Sequence, residues 1–372
     1  MVSRIKRNAA MTATAATDCV DEARAPTRKS PIEVSAGLVA WMIRNRVALA
    51  FSSYQHGELF FLGAQGDGRA VFSRAQFPYA MGISAYAQRV YLATHMQIWR
   101  LENILKPDEL VNDRYDRLFV PRNAQVVGPI DAHELGVEPS GRILFANTKY
   151  SCLATPSLTH SFRPVWKPKF ISKLAPEDRC HVNGLGMEAG SLRYVTVCSM
   201  TDIVDGWREH RADGGVVIDV SDDRIVAEGL SMPHSPRVHR GGIWVLDSGT
   251  GQLCRLDATN GARDNIGFYP GFLRGLAFVD NYAAVTLSLP RNGRFQGLAL
   301  EHELTKRKAV PWCGLLIIDI RNGDVVEWVR FESEVKELFD VALIPGVRCP
   351  RGLTPNSGAL HDAISVEAAP LD

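Results

Sequence analysis

Apolar and polar positions alternate along most of the chain in short runs of strand length, bounded by glycine, asparagine and aspartate. Period-two alternation of this kind predicts strands rather than helices. Six runs share one pattern, a polar or small residue followed by small and apolar residues in alternation. They are Gly82-Ile-Ser-Ala, His133-Glu-Leu-Gly-Val, Asn183-Gly-Leu-Gly-Met, His234-Ser-Pro-Arg-Val, Arg274-Gly-Leu-Ala-Phe and Asp340-Val-Ala-Leu-Ile, at intervals of 51, 50, 51, 40 and 66 residues. These intervals bracket the ~40–50 residues of a four-stranded propeller blade. Second strands follow at Arg89-Val-Tyr-Leu-Ala, Arg142-Ile-Leu-Phe-Ala, Arg193-Tyr-Val-Thr-Val, Gly242-Ile-Trp-Val-Leu and Tyr282-Ala-Ala-Val-Thr. Third strands end in or before Asp219, Asp257 and Asp319, and Asn260-Gly261 and Asn322-Gly323 are hairpin signals.

The two ends of this pattern complement each other. Residues 47–79 supply three strands without an innermost one, and Asp340-Val-Ala-Leu-Ile is an innermost strand without followers. Pairing them completes one blade, closes the ring and removes exposed strand edges. The chain is therefore read as an all-β, six-bladed β-propeller over residues 35–353. A short helix around Ser35-Ala-Gly-Leu-Val-Ala-Trp-Met-Ile-Arg precedes it, with Ser35 expected as N-cap. Residues 1–34 are expected as a disordered leader and 354–372 as a disordered tail. Ordinary alternating strands of a sandwich, or of two domains, are the competing reading, and no linker divides the chain.

Composition narrows the function classes. Lys and Arg number 42 against 41 Asp and Glu, a net charge of +1, so the basic excess of a nucleic-acid binder is missing. No apolar run reaches the ~18 residues of a membrane span, and the first residues lack the apolar stretch of a secretory signal. Seven widely spaced cysteines without a CxxC read as reduced, buried thiols of a cytoplasmic protein. Walker, GxGxxG, GxSxG and HExxH motifs are not found in the sequence.

In a propeller the innermost strands line the axis, so the residues entering them meet at one rim. Those residues are Gly82, His133, Asn183, His234, Arg274 and Asp340, with His181 two positions before Asn183. Three consecutive blades thus each offer a histidine. Two long loops, 201–215 with Trp207 and Arg208 and 288–312 with Arg291, are expected to overhang the same rim, together with Tyr54, His95, Lys149 and Tyr150. Two chemistries fit. His133, His181 and His234 as neutral imidazoles make a facial site for a divalent metal, Zn, Fe or Cu, with Glu134 as an outer acceptor for His133. Alternatively, the histidines move protons without a metal, while Asn183, Arg274, Trp207, Arg208 and Tyr150 bind substrate and Asp340 orients a histidine or pairs with Arg274. Plainer readings stand beside these: hydrogen-bonded channel fillers for the histidines, an interblade ion pair for Arg274 and Asp340, a packing aromatic for Trp207.

The segments His181-Val-Asn-Gly-Leu, Gly206-Trp-Arg-Glu, Ala212-Asp-Gly-Gly-Val, Leu230-Ser-Met-Pro-His-Ser-Pro-Arg, Pro270-Gly-Phe-Leu-Arg-Gly-Leu-Ala, Glu337-Leu-Phe-Asp-Val and Phe145-Ala-Asn-Thr-Lys-Tyr-Ser-Cys-Leu-Ala resemble those of a bacterial conserved-hypothetical family of six-bladed propellers. The resemblance covers nearly all of 35–353 and implies fold and site rather than an activity. Gluconolactonase- and regucalcin-like propellers are similar only in having six blades and an axial metal. Their ligands are Glu, Asn and Asp, and here Asn183 and Asp340 lack a matching Glu. Four-histidine carotenoid oxygenases have seven blades, and a streptogramin lyase is similar in bearing a propeller histidine. The expected function is an intracellular enzyme of lyase, isomerase or hydrolase type, acting on a small polar or anionic metabolite. The alternative is a non-catalytic propeller that binds a ligand or a protein, and a third reading is an accessory protein to a biosynthetic enzyme.

Overall fold

The structure, a computed structural model, describes residues 32–291, 293–332 and 334–367. Six antiparallel sheets of four sequential strands stand around one axis. Blade 1 joins Val341–Pro345 to Val47–Ser53, Glu58–Ala64 and Ala70–Gln76. The inner strands of blades 2 to 6 are Ile83–Tyr86, Ala132–Val137, Val182–Glu188, Pro233–His239 and Phe272–Val279. The expected six-bladed propeller is therefore the fold, and it closes where the sequence places the closure: Val47 pairs with Pro345 and Phe51 with Val341.

The strands are buried on both faces, which is why many read as nearly continuous apolar runs. All seven residues of Val47–Ser53 and of Glu58–Ala64 are buried. Alternate residues of a strand serve opposite neighbours, as the pleat requires. Leu49 and Phe51 pack towards blade 6 with Leu315 and Ile317, whereas Ala48 and Ala50 pack towards blade 2 with Ile83 and Val90. The same division repeats around the ring, giving a hydrophobic cluster between each pair of adjacent blades. With the core in these seams, the axis is left for polar side chains.

Both ends of the described chain act as further staples. Ile32–Val34, which the sequence assigns to a disordered leader, adds a fifth strand to the outer edge of blade 6, Asp324–Phe331. Residues 1–31 of that expected leader, Cys19 included, lie outside the described residues. The helix spans Leu38–Asn45, and its buried Leu38, Trp41 and Met42 fill the seam between blades 6 and 1. Ser35 is not its N-cap. Gly37 holds that position without a side-chain bond. The Ser35 hydroxyl instead donates to Glu327 Oε2 at 2.5 Å and accepts from the Trp328 N–H at 2.9 Å, so it fastens the added strand. At the other end Pro350–Gly352 runs parallel to the outer strand of blade 2, Arg117–Val126. Residues beyond 353, expected as a disordered tail, include a one-turn 3-10 helix at Gly358–Asp362, and buried Ala363 packs with Leu118 and Leu353.

The 66-residue interval reflects an insertion that the alternation pattern does not announce. The loop between the second and third strands of blade 6 carries an α-helix, Ala299–Arg307, whose Leu300 and Leu304 pack with Phe295. Among the described residues no helix is long and apolar enough to cross a membrane.

Candidate functional site at the axial mouth

Of the residues expected at the rim, His133, Asn183, His234, Arg274 and Asp340 share one cavity, and Gly82 and His181 are not among its lining residues. His133, Glu134, Asn183, His234, Ser235, Arg274, Phe339 and Asp340 line one cavity of about 10 Å³, open to the rim. That is room for about one water molecule.

The histidines share a mode of attachment. His133 Nδ1 lies 3.1 Å from the Asp131 carbonyl and 2.8 Å from the Thr148 hydroxyl, which donates to the Val182 carbonyl. A carbonyl only accepts, so Nδ1 carries the proton and Nε2 is the basic nitrogen. His234 Nδ1 lies 2.9 Å from the Met232 carbonyl and 3.0 Å from Ser248 Oγ, while its Nε2 lies 3.3 Å from Asn183 Nδ2. The Asn183 carbonyl oxygen accepts from Thr196 Oγ1 at 2.8 Å, which fixes the amide orientation. Burial pushes His133 and His234 well below the ordinary histidine range, and the charge of Arg274 acts in the same direction on both. Both rings are therefore neutral at pH 7. His181 differs. Its Nδ1 lies 2.9 Å from the Asp178 carboxylate, and its ring stacks on Trp207 with centroids 4.0 Å apart. Trp207 Nε1 donates to the same carboxylate at 2.9 Å. His181 has φ +53°, a backbone conformation costly for a residue with a Cβ, and the Asp178–Trp207 clamp holds it there.

The three rings are not gathered around one point. His133 and His181 meet edge to face at 5.1 Å, whereas His234 turns to Asn183 and Phe272. Among the described residues no three His, Cys, Asp or Glu side chains stand so as to hold a metal ion.

The acids also depart from expectation. Asp340 neither orients a histidine nor pairs with Arg274. Its oxygens accept the N–H groups of Ile83 and Val341, both at 2.8 Å, which ties blade 1 to blade 2. Burial, reinforced by the charge of Glu134, raises the Asp340 carboxyl to about 7. Glu134 is not an acceptor for His133. It accepts from the Leu185 N–H at 2.7 Å, from Ser235 Oγ at 2.9 Å and from the Arg237 guanidinium. Arg237 lies three residues along the blade 5 strand from His234 and so closes the channel below the mouth.

Arg274 has a different acidic neighbour, Glu337, with Nη1 to Oε1 at 3.6 Å. Glu337 is anchored by the N–H groups of Tyr54 and Gln55, at 3.1 and 3.2 Å to Oε2. The Arg274 guanidinium lies over Phe339 at 4.2 Å, and burial with the nearby charge of Arg291 lowers it to about 10. Arg291 reaches over the ring of Tyr54 at 5.7 Å.

The loop residues expected to bind substrate take other places. Trp207 is buried as the support of His181. Arg208 is exposed over the Trp207 ring at 4.5 Å and pairs with Asp205 at 3.1 Å. Tyr150 packs against Phe162 at 4.9 Å in the outer part of blade 3. Sequence reasoning did not single out Glu337, Phe339, Arg237, Asp178 or Thr148 as site residues. Glu337 and Phe339 carried a readable signal, since they fall just before the Asp340 strand and hence at the rim.

Two solved structures are similar to this chain. A nidogen/laminin complex gives a TM-score of 0.52 at 11% identity, over 82% of this chain and all of that chain. Selenomethionine-substituted virginiamycin B lyase from Staphylococcus aureus gives 0.40 at 10% identity, over 64% and 73%. No curated protein sequence matches. A family model matches residues 36–353, the whole ring from the helix to the last closing strand, and the chain therefore belongs to the family described as a domain of unknown function, DUF4915.

Proposed function

We propose that this chain is a ligand-binding propeller that seats a small polar molecule at the mouth of its axial channel. The observation that carries this reading is the fixed polarity of the mouth. His133 and His234 are held by Nδ1 from their own blades, and Asn183 and the cation of Arg274 stand beside them around one small cavity. A channel that needed only filling would gain nothing from a buried guanidinium facing neutral imidazoles. The basic nitrogen of His133 accepts a hydrogen bond and Arg274 donates, a complementary set for a ligand bearing both kinds of group.

A second reading, acid/base catalysis on the same ligand, has one observation in its favour. A carboxylate on Nδ1, as Asp178 provides for His181, fixes the tautomer and the orientation of the ring. His181 would then move the proton, and His133, Asn183 and Arg274 would hold the substrate.

The test is a thermal-shift screen of small polar metabolites, and of Zn, Fe and Cu ions, against the full chain. At least one small compound should raise Tm in the wild type and lose its effect in the His133→Ala, His234→Ala double variant. Stabilisation that survives this variant would overturn the axial assignment. About one metal per chain by elemental analysis, lost in the same variant, would restore the metal reading. Turnover of the compound that fails in His181→Ala while binding persists would establish the catalytic reading.

A further inference from the structure

We infer that the ligand of the axial mouth is a small carboxylate, held by Arg274 with Arg291 as a second cation. This rests on the mouth being a ligand site and names the class of molecule it takes. Two guanidinium groups, Arg274 and Arg291, act on a single buried carboxylate, Glu337, and they oppose each other's charge. Among the described residues no carboxylate pairs with Arg291 in a salt bridge. Glu337 alone does not balance the two, and of the other acids on the cavity Glu134 is paired with Arg237 while Asp340 accepts from the N–H groups of Ile83 and Val341.

Glu337 is also unable to satisfy Arg274. The backbone N–H groups of Tyr54 and Gln55 fix Oε2, and the contact to Arg274 stays at 3.6 Å, beyond the ~2.7–2.9 Å of a charge-assisted hydrogen bond. Arg274 Nε and Glu337 Oε1 are both buried without a hydrogen-bond partner. Unsatisfied buried groups of this kind are rare and call for a missing partner. The Arg274 guanidinium is held by its face, 4.2 Å from Phe339 and 5.9 Å from Phe272, so its edges are what remain for hydrogen bonding. Nη1 is turned to Glu337, and Nε is buried without a partner. A carboxylate takes two parallel N–H bonds from such an edge, a geometry that a neutral amide cannot match. The basic Nε2 of His133 on the same cavity then accepts from a hydroxyl carried by the ligand.

Saturation-transfer NMR on the full chain with lactate, lactamide and inorganic phosphate tests this. Lactate should bind at least roughly tenfold more tightly than lactamide, a comparison that needs no variant. Arg274→Gln should abolish lactate binding, and Arg274→Lys, which keeps the charge without the fork, should weaken it. Arg291→Gln should weaken it less. Lactamide binding equal to lactate, with both lost in His133→Ala, would overturn the carboxylate assignment and leave the ligand site standing. Displacement of lactate by phosphate at lower concentration would replace carboxylate by phosphate as the class. Absence of binding by all three would overturn both readings.

Discussion

Replacing Arg237 with methionine should destabilise the propeller in a pH-dependent way. The Arg237 guanidinium contacts Glu134, and it donates to the carbonyls of Leu276 at 2.9 Å, Leu185 at 3.2 Å and Pro236 at 3.1 Å. It therefore ties blades 3, 4, 5 and 6 at the axis. The Glu134 side chain is only 3% exposed, and Asp340 is a second buried acid beside it. Methionine keeps much of the volume but leaves both acids without their cation. Breaking a buried pair in this way costs about 3–5 kcal/mol. For a propeller of this size the unfolding entropy is about 0.7 kcal/mol/K at ~2.1 cal/mol/K per residue, so Tm should fall by about 4–7 °C near pH 8. The Asp340 carboxyl is raised from 3.8 to about 7 in the folded chain. Its contribution to stability is therefore complete below about 4 and is lost as the pH rises through about 7. Without Arg237 the Asp340 carboxyl takes up its proton at still higher pH, so the deficit of the variant should shrink as the pH falls. Calorimetric scans at pH 8.5 and 5.5 measure this, and the Tm difference at pH 5.5 should be less than half of that at pH 8.5. Adding Glu134→Gln should recover part of the loss at pH 8.5. Equal differences at both pH values would refute the electrostatic account and leave Arg237 as packing alone.

Gly275→Ala should cost at least about 2 kcal/mol, because the new Cβ would stand 2.6 Å from Val341 N and 2.7 Å from Asp340 Cα, backbone atoms that cannot yield cheaply. Chemical denaturation measures this, and a variant as stable as the wild type would show that the inner strands of blades 6 and 1 are not packed this closely. The six described cysteines should be silent to a thiol reagent in the native chain. All are buried, and burial raises Cys152, Cys180 and Cys254 to about 12 and Cys349 to about 11. Reagent uptake by these six should follow unfolding, and rapid labelling of any of them in the folded protein would contradict their placement.

The sequence made the site legible as far as strand register reaches. Because inner strands repeat one pattern, the positions of His133, Asn183, His234, Arg274 and Asp340 on the ring followed from counting. The helix start was misplaced because Ser35 offers the right side chain for a cap, yet a strand edge 292 residues away claims its hydroxyl. The helix Ala299–Arg307 was missed because it lies within an inserted loop and buries only Leu300 and Leu304 of its nine residues. The site's partners were misassigned for a similar reason. Arg274 was given to Asp340 on ring adjacency, but the acid that faces it is Glu337, three residues earlier on the incoming loop.

Alternation, turn residues and complementary ends by themselves determined that this chain is a closed ring of six blades with polar residues at one rim. These are local properties, and backbone hydrogen bonding converts them directly into sheets. Only the tertiary structure decided which polar group faces which. Across the axis, groups far apart in the sequence, such as Glu134 and Ser235 at a separation of 101 residues, come within hydrogen-bonding reach. Their pairing depends on ångström differences in reach and on burial, which strengthens every charge left without a partner and leaves no periodic trace in the sequence.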